Sequence, residues 1–250
     1  MILDGKAAIV TGAGRGVAKG IAMAFAKSGA NVLIVDRDEQ LGQATEDELR
    51  AISPRSYFVR ADLAQHDRLD EIVASAVEHF GKLDILVNAA QAAELVPLAD
   101  TSNAVMRLPF DTGFWPTFLL MRAAYPHLQA SRGCVINFGT GASFNASPAH
   151  AAYVAAKEAI RAISKVAANE WGADGIRVNI ICPFANSPGV QQWAQEAPQD
   201  YEANLLRVPL RRMGDCEADI GAAAVFLASD SASYITGHTL MVDGGLNKAA

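Results

Sequence analysis

Apolar positions along this chain follow two alternating patterns. Short, nearly continuous apolar runs mark strand candidates at Ala7–Val10, Asn31–Val35, Ser56–Arg60, Ile85–Val87, Cys134–Phe138, Arg177–Cys182 and Thr239–Val242. Between them lie longer stretches in which apolar residues recur every three or four positions, as on one face of a helix, near residues 16–28, 38–52, 66–80, 101–131, 150–171 and 216–229. Strand and helix alternating over the whole length predict an α/β fold with a parallel sheet of about seven strands covered on both faces. The continuous apolar runs agree with that, because a strand buried on both sides cannot alternate. Residues 1–250 read as one domain. The exception to the pattern is about 184–215, where Pro183, Pro188, Pro198 and Pro209 punctuate a segment of no strong period. It reads as a long excursion above the sheet, the usual place for a substrate lid.

Composition narrows the functional classes. A length of 250 residues with 51% hydrophobic content suits one large core. With 27 acidic and 21 basic side chains and a net charge of -6, the chain offers no basic block to a phosphate backbone, so nucleic acid is not an expected partner. No apolar run reaches membrane-spanning length, and no leader-like segment precedes the first strand. Cys134, Cys182 and Cys216 are few and far apart, which fits reduced thiols in a cytoplasmic protein with neither disulfides nor a zinc site. Cys182 ends a strand near the candidate site, as a reactive thiol or a plain core residue.

Chemistry appears first after the opening strand, in Thr11-Gly-Ala-Gly-Arg-Gly-Val-Ala18. Glycines between a strand and a helix permit a tight turn, and the helix N-terminus favours a pyrophosphate. Gly12, Arg15, Gly16 and Val17 are the candidate contacts. Asp36 ends the second strand twenty residues beyond Gly16, where a carboxylate binds ribose hydroxyls and repels a 2′-phosphate. The expected cofactor is therefore NAD(H) rather than its phosphorylated form, with the neighbouring Arg37 softening that choice. Asp62, followed by Leu63, either accepts from an adenine amino group or caps a helix.

Tyr153 and Lys157 stand four residues apart within the strongly helical stretch Ala151–Trp171, on one face. An ammonium held beside a phenol favours the phenolate and lowers a pKa that is otherwise about 10. Such a tyrosine exchanges a proton with an alcohol or ketone near neutral pH.

From Gly5 to Gly245 these features resemble the short-chain dehydrogenase/reductase family in its compact form. The resemblance is carried by the glycine-rich loop, Asp62, Leu86-Val-Asn88-Ala, Tyr153-Val-Ala-Ala-Lys157, Arg177-Val-Asn179-Ile-Ile-Cys-Pro183 and the ending Ala228 to Gly245. It implies a Rossmann-type sheet, a nicotinamide cofactor, a small-molecule substrate and usually a homotetramer. It assigns Tyr153 the acid/base role and Lys157 the nicotinamide ribose. It also implies cofactor contacts from Asn88, Ala89, Pro183 and Ser187, and a strand-five hydroxyl that polarises the substrate oxygen. Thr140 stands at that last position, with Ser143 as the fallback donor.

Departures from the family pattern cluster around the nicotinamide and substrate. Asn-Asn-Ala-Gly becomes Asn88-Ala89-Ala90-Gln91, so a long amide stands where the family keeps bare backbone. Gly113 falls where many members carry an Asn that anchors a relay water. Phe184 follows Pro183 in place of glycine, and Pro188 replaces a threonine that often holds the carboxamide. Pro109, Gly113 and Pro116 predict a kink or break in the fifth helix. Phe110, Phe114, Trp115, Phe144, Phe184 and Trp193 are candidates for an apolar pocket wall, which suggests a largely apolar substrate. Arg207, Arg211 and Arg212 either grip an anionic tail or are simply solvated, and His150 either lines the entrance or starts a helix.

The expected activity is NAD(H)-dependent interconversion of a secondary alcohol and a ketone. The alternative is a non-redox lyase or dehydratase using Tyr153 on the same scaffold, motivated by Gln91 and Phe184 as obstacles to the nicotinamide.

Overall fold

The computed structural model describes residues 1–247. Seven parallel strands form one sheet in the order β3-β2-β1-β4-β5-β6-β7. They are β1 Ala7–Thr11, β2 Asn31–Asp36, β3 Tyr57–Arg60, β4 Ile85–Asn88, β5 Cys134–Phe138, β6 Arg177–Pro183 and β7 Thr239–Val242. Each matches a predicted run to within a residue at either end. The order reverses between β1 and β4, and a crevice opens there at the carboxyl ends of the strands, as topology requires. Central strands β1 and β5 are buried at every position.

Helices α1 (Gly16–Lys27), α2 (Glu39–Arg50) and α3 (Leu69–Phe80) follow the first three strands. One core cluster joins α1 to one face of the sheet through Ile21, Phe25, Val10 and Ile34. The other joins α3 and the fifth helix to the opposite face through Ile72, Leu120, Ile9 and Leu86. On its outer side α1 packs backbone against backbone. A Cβ on Gly20 would lie 2.4 Å from the carbonyl of Cys216. Gly20→Val is therefore expected to overpack this contact and lower stability by about 1–3 kcal/mol or more, seen as a lower urea midpoint. An unchanged midpoint would contradict the packing described.

The predicted break in the fifth helix takes a specific form. Helix α4 (Asn103–Pro109) passes through a π turn, Phe110–Phe114, into α5 (Trp115–Ser131). Pro109 and Pro116 each remove an N–H donor, and the wider turn absorbs the loss. The 21-residue α6, Ala151–Trp171, buries Ala152, Ala156, Lys157, Ile160 and Ser164 along one stripe.

The segment 184–215 differs from its reading as an irregular excursion. It contains α7 (Pro188–Glu196) and α8 (Pro198–Arg207), each opening on a proline. Proline reads as a breaker in a sequence, yet at the first helical position its missing N–H costs nothing and its fixed φ favours the helix. A final helix, α9 (Ala222–Ala228), leads into β7. No helix of the described residues is long and apolar enough to cross a membrane.

Candidate active site

The crevice beyond the strand ends encloses about 490 Å³. Its walls include Gly12, Arg15, Gly16, Val17, Asp36, Arg37, Asp62, Leu63, Ala89, Tyr153, Lys157, Pro183 and Ser187, all singled out in the sequence. Gln91, Thr112, Gly139 and Gln192 also line it. Gln192 belongs to α7 and was hidden by the apparent lack of period around it.

One end is a glycine cradle. Gly12 (φ +72°) and Gly16 (φ +62°) adopt left-handed backbone that other residues resist. A Cβ on Gly12 would lie 2.9 Å from the Ala90 Cα, so the loop closes tightly on the chain after β4. The Thr11 hydroxyl accepts from the N–H groups of Ala89 and Ala90 at 3.0 and 3.2 Å and fixes that approach. No side chain caps α1, so its first N–H groups are left for an anion beside Gly16 and Val17. The Asp36 carboxylate accepts from Gly14 N–H at 2.9 Å and Asp38 N–H at 3.0 Å, which aims it at the crevice. A cradle that a Cβ would fill, an uncapped helix start and a fixed carboxylate suit a dinucleotide. Asp62 accepts from Ala64 N–H at 3.0 Å in a turn and also lines the wall. A larger open groove along β3 shares Arg37 and Asp62 but contains no candidate catalytic residue. Its Arg60 and Arg68 are paired with Glu39 and Glu71 at 3.0 and 2.8 Å.

At the other end α6 presents Tyr153 and Lys157. Lys157 Nζ lies 5.8 Å from the Tyr153 ring centroid. Burial raises the Tyr153 pKa above its ordinary value, the Thr140 hydroxyl partly offsets this by hydrogen bonding, and Cys182 raises it slightly. Burial also lowers the Lys157 pKa to about 8. The expected downward tuning of the phenol by Lys157 is therefore absent from the protein alone. Desolvation disfavours both charged forms and outweighs an attraction across that separation. Thr140 stands next to Gly139 on the wall and is the hydroxyl that reaches Tyr153. Ser143, the fallback donor, is engaged: its Oγ donates to the Thr140 carbonyl at 2.8 Å. Cys182 is buried, and burial pushes its thiol up to about 11, which makes it a poor nucleophile.

Other expectations are corrected. Asn88 stands behind the wall rather than on it. Its amide donates to Asn137 Oδ1 at 2.9 Å, Asn137 donates to Ser164 Oγ at 2.7 Å, and Ser164 donates to the Ile160 carbonyl at 2.6 Å. This buried chain fastens α6 to β4 and β5 and so holds the helix carrying Tyr153. Of the aromatic residues expected to wall the pocket, none is on it. Phe110, Phe114, Trp115 and Phe118 stack edge-to-face in succession, ending with Trp115 and Phe118 exposed. Trp193 packs on Tyr201 between α7 and α8, and Phe144 lies under Arg161. Phe184 is off the wall as well. Arg212 is paired with Asp219 at 2.5 Å and takes no part in the crevice. The His150 ring stands 6.2 Å from that of Tyr153 and bonds the Pro148 carbonyl.

Gln91 differs from the other wall residues. Its amide oxygen and nitrogen are both buried with no protein partner, a cost of about 1–3 kcal/mol for each such group. It packs over Gly113, whose added Cβ would come within 2.8 Å of the Gln91 Cδ.

Comparison with known proteins decides the family. A family model described as enoyl-(acyl carrier protein) reductase matches residues 12–247. The chain is 39% identical to a 12α-hydroxysteroid dehydrogenase of a Clostridium species, over 99% of this chain and 98% of that protein. The chain is a short-chain dehydrogenase/reductase. As such it is also 40% identical to the L-fucose dehydrogenase of Oryctolagus cuniculus, over 96% of this chain and 84% of the relative. Among solved structures, a 7α-hydroxysteroid dehydrogenase complexed with NADH and 7-oxo glycochenodeoxycholic acid superposes with a TM-score of 0.92 at 31% identity, covering 97% and 94% of the two chains. These dehydrogenases place the protein among enzymes of alcohol/ketone oxidoreduction.

Proposed function

We propose that this protein interconverts a secondary alcohol and a ketone with NAD(H), and that Tyr153 is its proton donor and acceptor. The observation that carries the reading is the shared crevice, with the glycine cradle and Asp36 at one end and Tyr153, Lys157 and Thr140 at the other. The cofactor, when bound, supplies the hydride donor or acceptor. Gly12, Arg15, Gly16 and Val17 hold its pyrophosphate, Asp36 its first ribose, Asp62 and Leu63 its adenine, and Lys157 its second ribose. Pro183 and Ser187 border the nicotinamide end. Thr140 donates to the substrate oxygen, and the buried setting strengthens that bond as charge develops there. Tyr153 passes a proton to that oxygen in reduction and takes it in oxidation.

A substrate with a bulky, largely apolar frame is supported by the hydroxysteroid relatives rather than by aromatic walls. The position of Phe184 away from the wall removes one motive for a non-redox reaction. A homotetramer is supported by the resemblance and by the exposed Trp115, Phe118 and Val166. A cytoplasmic setting is supported by three free cysteines.

Asp36 provides the test of cofactor choice. The carboxylate repels a 2′-phosphate, so the wild type is expected to bind NADH in preference to NADPH. Asp36→Ser is expected to narrow that preference by about tenfold, or 1.4 kcal/mol, in a fluorescence titration. Tighter binding of NADPH to the wild type would contradict the assignment.

A further inference from the structure

Gln91 and Gly113 belong to two segments that are stapled together. The Thr112 hydroxyl accepts from Ala92 N–H at 3.0 Å and donates to the Leu108 carbonyl at 2.7 Å. His66 Nε2 donates to the Asp111 carbonyl at 2.7 Å and holds the π turn from its other side. Between these fixed backbones the Gln91 amide lies over the bare α-carbon of Gly113, in space that any Cβ there would claim.

Two groups on this one wall lack protein partners. The Gln91 amide is buried with both polar atoms unpaired. Lys157 is also buried, and among the described residues its ammonium forms no salt bridge and no hydrogen bond to a protein acceptor. Their chemistries are complementary: the ammonium only donates, while the amide both accepts and donates. A water that accepts from Lys157 and donates to Gln91 Oε1 satisfies both, whereas neither satisfies the other if the amide stays over Gly113.

We propose that Gln91 is a positioning residue, whose amide, seated over Gly113, orients a water that exchanges protons with the Tyr153–Lys157 pair. The proposal rests on the alcohol/ketone reading above. In oxidation, the O–H bond of the carbinol breaks and its proton goes to Tyr153. That proton must leave before the next turnover, and the oriented water receives it on the Lys157 side. In reduction the same water returns a proton. Gln91 itself is neither oxidised nor protonated, so the balance involves no further reactant. Gly113 is part of the device, since its missing side chain is what admits the amide.

The test uses the full chain with NADH and a ketone that the wild type reduces. Gln91→Met keeps the length of the side chain and removes its hydrogen bonds. The expected result is a kcat lowered about tenfold or more, with KM and NADH affinity within threefold of wild type and a larger solvent deuterium isotope effect on kcat. Its melting temperature should stay level or rise, because an unpaired buried amide has been replaced by an apolar group. Gly113→Ala should lower both kcat and melting temperature by displacing the amide. Gln91→Ala combined with Gly113→Asn, which delivers an amide from the other side into the emptied space, should recover much of kcat. Wild-type kcat and isotope effect in Gln91→Met would overturn the proposal while leaving the function intact. A fall in melting temperature matched by lost NADH affinity would overturn it in favour of a purely structural role. A wild type that turns over no alcohol or ketone would overturn the functional reading first, and this proposal with it.

Discussion

Tyr153→Phe is expected to lower kcat by about 10²–10⁴-fold, the usual contribution of a positioned acid or base. The change removes one oxygen from the crevice wall and leaves the ring packing of α6 in place, so NADH affinity should stay within a few-fold of wild type. Thr140 and Lys157 would then act on a substrate oxygen that has no proton source. Because burial raises the Tyr153 pKa in the free protein, the phenol enters the cycle as the neutral acid, ready for ketone reduction. Oxidation requires the phenolate and should therefore gain more than reduction from a rise in pH. Steady-state kinetics in both directions check this. A mutant that retains kcat within threefold would remove Tyr153 from the chemistry.

Lys157→Met is expected to abolish turnover while making the cofactor-free protein more stable at neutral pH. Lys157 titrates at about 8 in the fold against 10.5 for an ordinary lysine, because burial penalises its charge. Between pH 8 and 10 the unfolded chain therefore holds a proton that the folded chain has released. Stability rises with pH wherever the unfolded state binds more protons, so the wild type gains stability across that window, by an amount on the order of 2–3 kcal/mol. Below pH 8 both states carry the charge, and the penalty is felt in full. Methionine removes the charge and should flatten the profile, adding roughly the same amount at pH 7. Urea unfolding at pH 7, 8, 9 and 10 measures it. Parallel profiles for the two proteins would show that the ammonium is not desolvated as described. Together, the two substitutions separate a residue that performs the chemistry from a charge held at a cost in stability.

The sheet was legible because a doubly buried strand must be apolar throughout, and each run from Ala7 to Val242 announced itself. The nucleotide end was legible for a similar reason: Gly12, Gly16 and Asp36 serve local geometry at short sequence separation. What sequence reading missed depends on contacts between distant segments. Asn88 resembles a cofactor ligand by position, yet its partners are Asn137 and Ser164, 49 residues from Asn88 and 27 from Asn137 along the chain. The aromatic residues of the π turn suggested a pocket by composition alone, but an altered helical register swings them along the outer surface. Helices α7 and α8 were obscured by Pro188 and Pro198, whose meaning depends on whether they begin a helix or interrupt one. Gln91 and Gly113 were each visible as departures. Only their packing shows that the long side chain at one position requires the missing side chain at the other.

The central claim is that hydride moves between the substrate carbon and a nucleotide held in this crevice, with Tyr153 handling the proton. The most direct measurement uses a secondary alcohol turned over by the wild type, carrying deuterium on its carbinol carbon, with unlabelled NAD and mass spectrometry of both products. The account predicts one deuterium in the reduced nucleotide for each ketone formed. Product that accumulates with no deuterium in the nucleotide, or without any nucleotide present, would contradict it.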